Sequence, residues 1–204
     1  MMEILISFIL AVSILAISPG PDNIFVLMQS VVHGKKYGLA TIIGLMTGCI
    51  VHTTFVAVGI STIIKENNTI FLGIKILGAV YLLYLAYKVI TGGSEISMST
   101  EKIDKKTPFQ LFKIGFIMNV LNPKVTLFFL ALFPGFLFSE ILPISLQFYI
   151  LGSLFILVSF VVFSLIAILG GTISEKIKTS KNIGVWLQWM QVFVFIGIAV
   201  FILI

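Results

Sequence analysis

No arginine occurs among the 204 residues, all 13 basic side chains being lysine, so a ligand of this protein is not gripped by a guanidinium fork. Cysteine is almost absent too. The single Cys49 cannot close an internal disulfide or a Cys-x-x-Cys redox pair, which excludes membrane thiol oxidoreductases and cysteine-rich metal sites. Charge of either sign is scarce, at 10% of residues, where soluble domains carry about 25%. What fills the chain instead is apolar: 59% hydrophobic residues and a mean hydropathy of +1.17. A water-soluble enzyme, a nucleic-acid-binding domain and a disordered chain are thereby excluded, since none hides so much apolar surface at this size. The composition is that of an integral membrane protein, and the net charge of +5 calls for a membrane explanation.

The stretch from Met1 to Ile17 has the short apolar run of a signal peptide but not its basic flank. Glu3 is its only charge, and no Ala-x-Ala-type site precedes Pro19, so it reads as the start of a retained span. A bilayer core about 30 Å thick needs roughly 20 apolar residues per helix. Residues 37–64, 141–174 and 182–204 carry no charge at all; with the segments around 69–91 and 109–138, and with 3–32 taken as one interrupted span, they predict six transmembrane helices. The polar stretch 92–108 is the one evident linker. It divides an all-α, polytopic membrane protein into a first three-helix unit, 1–91, and a second, 109–204.

Lysine placement predicts the orientation, because cytoplasmic loops retain positive charge. Lys35, Lys36, Lys88, Lys102, Lys105, Lys106, Lys113, Lys176, Lys178 and Lys181 fall on one side, and only Lys65 and Lys75 on the other. Ten against two puts both termini outside and the central linker in the cytoplasm of a cell-membrane protein. Lys124 belongs to neither group.

Helix 1 is interrupted at Ser18-Pro19-Gly20-Pro21-Asp22-Asn23 and helix 4 at Asn122-Pro123-Lys124, both deep within their spans. Proline removes a backbone donor and pushes the residue before it out of helical geometry. Ser18 and Asn122 read as N-caps that restart the helix beyond each break. With three helices per half, helices 1 and 4 run in opposite directions, and paired breaks in antiparallel halves point to an inverted-repeat transporter with a midplane site. The register stays open: matching the caps needs an offset of 104, matching Pro21-Asp22 to Pro123-Lys124 needs 102. A charge within a span costs at least ~2.5 kcal/mol on insertion scales, so Asp22 and Lys124 are paired, facing water, or functional. Half-helix N-termini and Lys124 suit an α-carboxylate, and Asp22 suits an α-ammonium or a proton. Asn119, one turn before the second break, either turns its amide to the same space or bonds a neighbouring helix.

Helix 2 carries Gly44, Gly48 and His52 at spacings of four. The glycines read as close helix packing, compatible with a homodimer and equally with contacts inside one chain. His52 reads either as a satisfied interhelical hydrogen bond or as a proton carrier, and is a poor metal ligand with His33 in a loop. Cys49 reads as a small buried residue. Tyr81, Tyr84, Tyr87, Trp186 and Trp189 read as an aromatic belt, and Gln147, Gln188 and Gln191 are polar without a visible orientation.

The run of Pro19-Gly20-Pro21-Asp22, the Gly44, Gly48, His52, Gly59 stripe, Gly78-Ala79 with Tyr81-Leu82, and Gly115-Phe116 leading to Asn119, Asn122-Pro123-Lys124, Phe128-Phe129 and Pro134 resembles the LysE/Rht family of bacterial amino-acid exporters. The likeness covers about two-thirds of the chain and fades in helices 5 and 6. It implies proton-coupled export of amino acids or close derivatives through an inverted three-plus-three fold without a cofactor. Its motif positions fall on Pro19, Gly20, Pro21, Asp22, Asn122, Pro123 and Lys124, with Asp22 and His52 as candidates for proton coupling. Gly135 stands where the family pattern often has Gln, which predicts a missing contact at the outer end of helix 4. No P-loop is present, so a gradient would drive transport. Alternatives are a cation or heavy-metal exporter, weakened by a single intramembrane carboxylate, and a non-transporting membrane assembly protein whose prolines only kink its helices. An enzyme is disfavoured, as no nucleophile, base and orienter come together.

Overall fold

The structure is a computed structural model, which describes residues 2–18, 20–66, 68–92, 106–170, 172 and 181–203. Pro19, linker residues 93–105, Lys176 and Lys178 lie outside them. All regular structure among the described residues is helical: α1 (Met2–Ile17), α2 (Pro21–His33), α3 (Lys35–Phe55), α4 (Ser61–Glu66), α5 (Asn68–Thr91), α6 (Pro108–Val120), α7 (Pro123–Leu127), α8 (Ile144–Ile168) and α9 (Lys181–Leu203). A π-helical stretch, Val56–Ile60, joins α3 to α4, while a π stretch (Phe128–Leu132) and a 3-10 turn (Phe133–Phe136) extend α7.

Four helical stretches are long and apolar enough to cross a membrane unbroken: Lys35–Ile63, Thr69–Thr91, Ile144–Ile168 and Val185–Leu203. The pairs Met2–Ile17 with Pro21–His33, bent by 61°, and Pro108–Val120 with Pro123–Phe136, bent by 49°, supply the other two. The protein is thus an all-α polytopic membrane protein of six spans, and the first and fourth are the broken ones.

The spans are held by close backbone approach more than by polar contacts. A Cβ on Gly44 would run into the carbonyl oxygen of Phe112, and one on Gly115 into the carbonyl of Thr41, so α3 and α6 interlock from both sides through small residues. Gly48 continues the seam, its missing Cβ standing 2.6 Å from Asn119 Oδ1. The glycine stripe therefore packs within the chain. Thr107 starts α6 with a reciprocal capping box to Gln110, at 2.8 and 3.3 Å, followed by Pro108 in the first helical position.

Two of the three glutamines, Gln147 and Gln188, turn out to be staples. Gln147 Oε1 accepts from the N–H groups of Phe138 and Ser139 while its Nε2 donates to the carbonyls of Ser139 and Leu142, which satisfies the loop before α8. Gln188 Nε2 donates to the Val89 carbonyl at 2.7 Å and ties α9 to the end of α5. Gly135 borders a cavity of about 300 Å³ that Phe71, Lys75, Pro134 and Phe201 also line, and a Cβ there would stand 3.1 Å from the Phe201 ring, which stacks on Phe136 at 4.9 Å.

Two hydrophobic cores of very unequal size are found among the described residues. The larger is built on Phe8, Phe128, Phe129, Phe133, Phe148 and Phe155, with rings as close as 4.2 Å between Phe129 and Phe133. The smaller joins Val26 of α2 to Ile42, Leu45 and Met46 of α3 and to Phe163 and Ala167 of α8. It lies toward the end of the bundle where Ser30 meets Gly38 and Gly170, which is the lysine-bearing end near Lys35 and Lys36.

Candidate functional site

At each break a proline occupies the first position of the restarted helix. Pro21 opens α2 after Gly20, whose extended backbone (φ −155°, ψ 176°) offers no side-chain cap. Pro123 opens α7 after Asn122, whose Oδ1 accepts from the Lys124 N–H at 3.0 Å. The cap expected at Ser18 is therefore not one. With a second proline two residues on, the helix restarts at Pro21, and Ser18 instead closes α1 by donating its N–H to the Ile14 carbonyl at 3.0 Å. Its buried Oγ has no partner. The two helix restarts match at an offset of 102, with Gly20 opposite Asn122, Pro21 opposite Pro123, and Asp22 opposite Lys124.

One side chain links the two breaks. While Asn122 Oδ1 caps α7, its Nδ2 donates to Asp22 Oδ2 at 3.0 Å. Asn23 performs the complementary task at the first break, donating from Nδ2 to the otherwise free Ala16 carbonyl at 2.7 Å and so closing the end of α1. Removing the Asn122 side chain should cost both contacts. We expect Asn122→Ala to lower thermal stability by the ~1 kcal/mol of a lost cap. Asn122→Ser should keep the cap and the stability yet lose the tie to Asp22, which a comparison of melting curves with transport rates would separate.

Asp22 and Lys124 face one narrow cavity of about 40 Å³. Its wall comes from the ends of α1 (Leu15, Ala16) and α6 (Asn119), from Asn23 and Val125 beside the two charges, from Cys49 at the middle of α3, and from Phe155, Ser159 and Phe163 at the middle of α8. These positions lie near the centres of the spans Lys35–Ile63 and Ile144–Ile168, so the site is at mid-depth. The two charges line this space without closing an ion pair within 4.0 Å. The Lys124 ammonium lies where a Cβ on Gly20 would be 3.6 Å away, and 5.0 Å from the centre of the Phe195 ring in α9. The cation of the second break thus lies beside the backbone of the first.

Of the remaining residues singled out from the sequence, Asn119 lines the cavity and donates from Nδ2 to Cys49 Sγ at 3.4 Å. His52 is not part of the cavity wall. Its Nε2 lies 3.1 Å from the Asn119 carbonyl, and its ring packs on Phe129 at 5.5 Å, one residue behind the site. Pro19 lies outside the described residues. Phe155, Ser159, Phe163 and Phe195 were not foreseen. Ser159 stands alone as a polar residue on the 155, 159, 163 stripe, a signal present in the sequence, whereas nothing local marks Phe195 among the many phenylalanines.

Comparison with known proteins identifies the family. The chain is 32% identical over 176 residues to a homoserine/homoserine lactone efflux protein of Salmonella typhimurium, covering 86% of this chain and 84% of that protein. It is 30% identical over 180 residues to a leucine efflux protein of Salmonella choleraesuis, covering 87% and 84% respectively. No solved structure matches significantly. The family described as LysE type translocator matches residues 13–204, both breaks included, and this six-span protein with a cavity between two broken helices belongs to that family.

Proposed function

We propose that this translocator exports amino acids or close derivatives from the cytoplasm by proton antiport. One observation carries the reading: a carboxylate and an ammonium at equivalent positions of two broken helices, unpaired with each other, face a single mid-depth cavity. Those are the complements of a zwitterion. Lys124 holds the substrate carboxylate, and Asp22 holds the substrate ammonium in exchange for a proton. Gly20 and Asn122 shape the space between them, with Asn119 on its wall. The printed activities of the two Salmonella relatives, efflux of homoserine, its lactone and leucine, support the substrate class.

A cavity of about 40 Å³ accommodates a few water-sized probes at roughly 10–15 Å³ each, and no amino acid. In this conformation the site is too narrow for the substrate. Transport then follows from alternating access, the units 1–91 and 109–204 acting as inverted three-helix repeats joined by the linker 92–108. The lysine bias sets that linker in the cytoplasm and both termini outside. A proton on Asp22 weakens its charge-assisted hydrogen bond from Asn122 and so loosens the contact between the two breaks.

The experiment is flux from proteoliposomes loaded with homoserine or leucine. With the same substrate at equal concentration outside, an imposed inward proton gradient should drive net export, and dissipating it should stop that uphill movement. Export indifferent to the proton gradient would remove antiport from the mechanism. A cation exporter, the second class open from sequence, has only Asp22 as an anionic ligand in this cavity.

A further inference from the structure

Buried polar atoms without partners are unevenly distributed among the described residues. Ser18 Oγ and Asn119 Oδ1 belong to the level of the cavity, whereas Gln29 Oε1, His33 Nε2 and Ser164 Oγ belong to the lysine-bearing half. Gln29 is 1% exposed, and its Oε1 has no hydrogen-bond partner. Ser164 likewise forgoes the bond to the carbonyl four residues back that Ser30, Thr41 and Thr53 all make. Leaving such a group buried and unpaired is costly, and a second, hydrated conformation would explain it.

Asp22, Val26, Gln29 and His33 are spaced four, three and four apart and form one stripe of α2. The stripe starts at the cavity carboxylate and ends at the lysine-bearing terminus of the helix. Between cavity and terminus stands only the smaller core, whereas the phenylalanine cluster seals the opposite side. α2 is also jointed at both ends. The extended Gly20 precedes it, and Gly34 follows at φ +101°, the one residue with positive φ among those described.

We propose that α2 is the inner gate and that Gln29 and His33 line the path by which a polar zwitterion travels between the lysine-bearing face and Asp22. Closed, α2 seals against α3 and α8 through Val26, Leu45, Met46 and Phe163; open, it turns the stripe toward water and satisfies the orphaned amide and imidazole. The inference rests on the exporter reading for what is carried, and stands apart from it as a statement about water access.

The closed seam offers its own lock. A Cβ on Gly170 would lie 3.6 Å from the Ser30 Cβ, within the roughly 3.5–4.5 Å that a disulfide requires. In Ser30→Cys/Gly170→Cys, oxidation should cross-link α2 to the end of α8 and reduce efflux at least tenfold, with recovery on reduction. In a second variant, Gln29→Cys, a membrane-impermeant maleimide should label inside-out vesicles well above wild type, whose only thiol is Cys49, and leave right-side-out vesicles at the wild-type level. A pair that never cross-links, a complete cross-link that leaves efflux intact, or Gln29→Cys labelling no faster than wild type would each overturn the gate. Labelling of Gln29→Cys in a protein that exports no amino acid would instead sink the exporter reading and leave the path standing.

Discussion

Lys124→Met and Asp22→Asn should each abolish uphill efflux while the protein still inserts and folds. Both replacements keep shape. Methionine preserves the apolar stem beside Phe195, and asparagine at position 22 can still accept from Asn122 Nδ2. What each removes is one largely buried charge at the cavity between the two breaks. Truncating one partner of a desolvated charged contact costs about 2–5 kcal/mol, and at 1.4 kcal/mol per tenfold this amounts to roughly a 30-fold loss or more. The two losses should differ in kind. Without Lys124 the substrate carboxylate lacks its counter-ion, so half-saturation should move to higher concentration; without the Asp22 carboxylate, exchange for a proton is lost and the proton gradient should no longer drive flux. Full activity in either variant would remove that residue from the mechanism.

The largest structural effect is expected at the seam of α3 and α6. A methyl group on Gly44 would already overlap the Phe112 carbonyl, and one on Gly115 the Thr41 carbonyl, and neither obstacle is the movable end of a side chain. Backbone must shift. Gly44→Ala should therefore cost about 1–3 kcal/mol by overpacking, read as a lower melting temperature in detergent, and Gly44→Leu should prevent accumulation of folded protein. Gly59→Ala is the control, since nothing lies within 4 Å of the Cβ it would add. Equal stability of Gly44→Leu and wild type would show that the two helices do not approach as described.

Much of this was readable in the chain because the bilayer makes few demands and states them loudly. Long charge-free runs give the spans, and only proline, glycine and two charges interrupt them where an unbroken helix would be cheapest. The site's two charged residues are legible for the same reason: a charge in mid-span is conspicuous. The details depend on geometry that residue type does not carry. Ser18 has the chemistry of a cap and sits before a proline, yet the helix restarts at Pro21 because the second proline is better placed. The glutamines look like lining residues, but Gln147 faces four unsatisfied backbone groups of its own loop and bonds them instead. Phe195 acquires its place beside Lys124 only when α9 packs against the break, and no local pattern distinguishes it from the phenylalanines of the core.

The most direct test of the central claim is efflux from cells loaded with a mixture of amino acids, with every released species quantified for wild type, Asp22→Asn and Lys124→Met. The account expects wild type alone to release one chemically related group of amino acids. Release of none, or equal release by all three proteins, would contradict a zwitterion site built on Asp22 and Lys124.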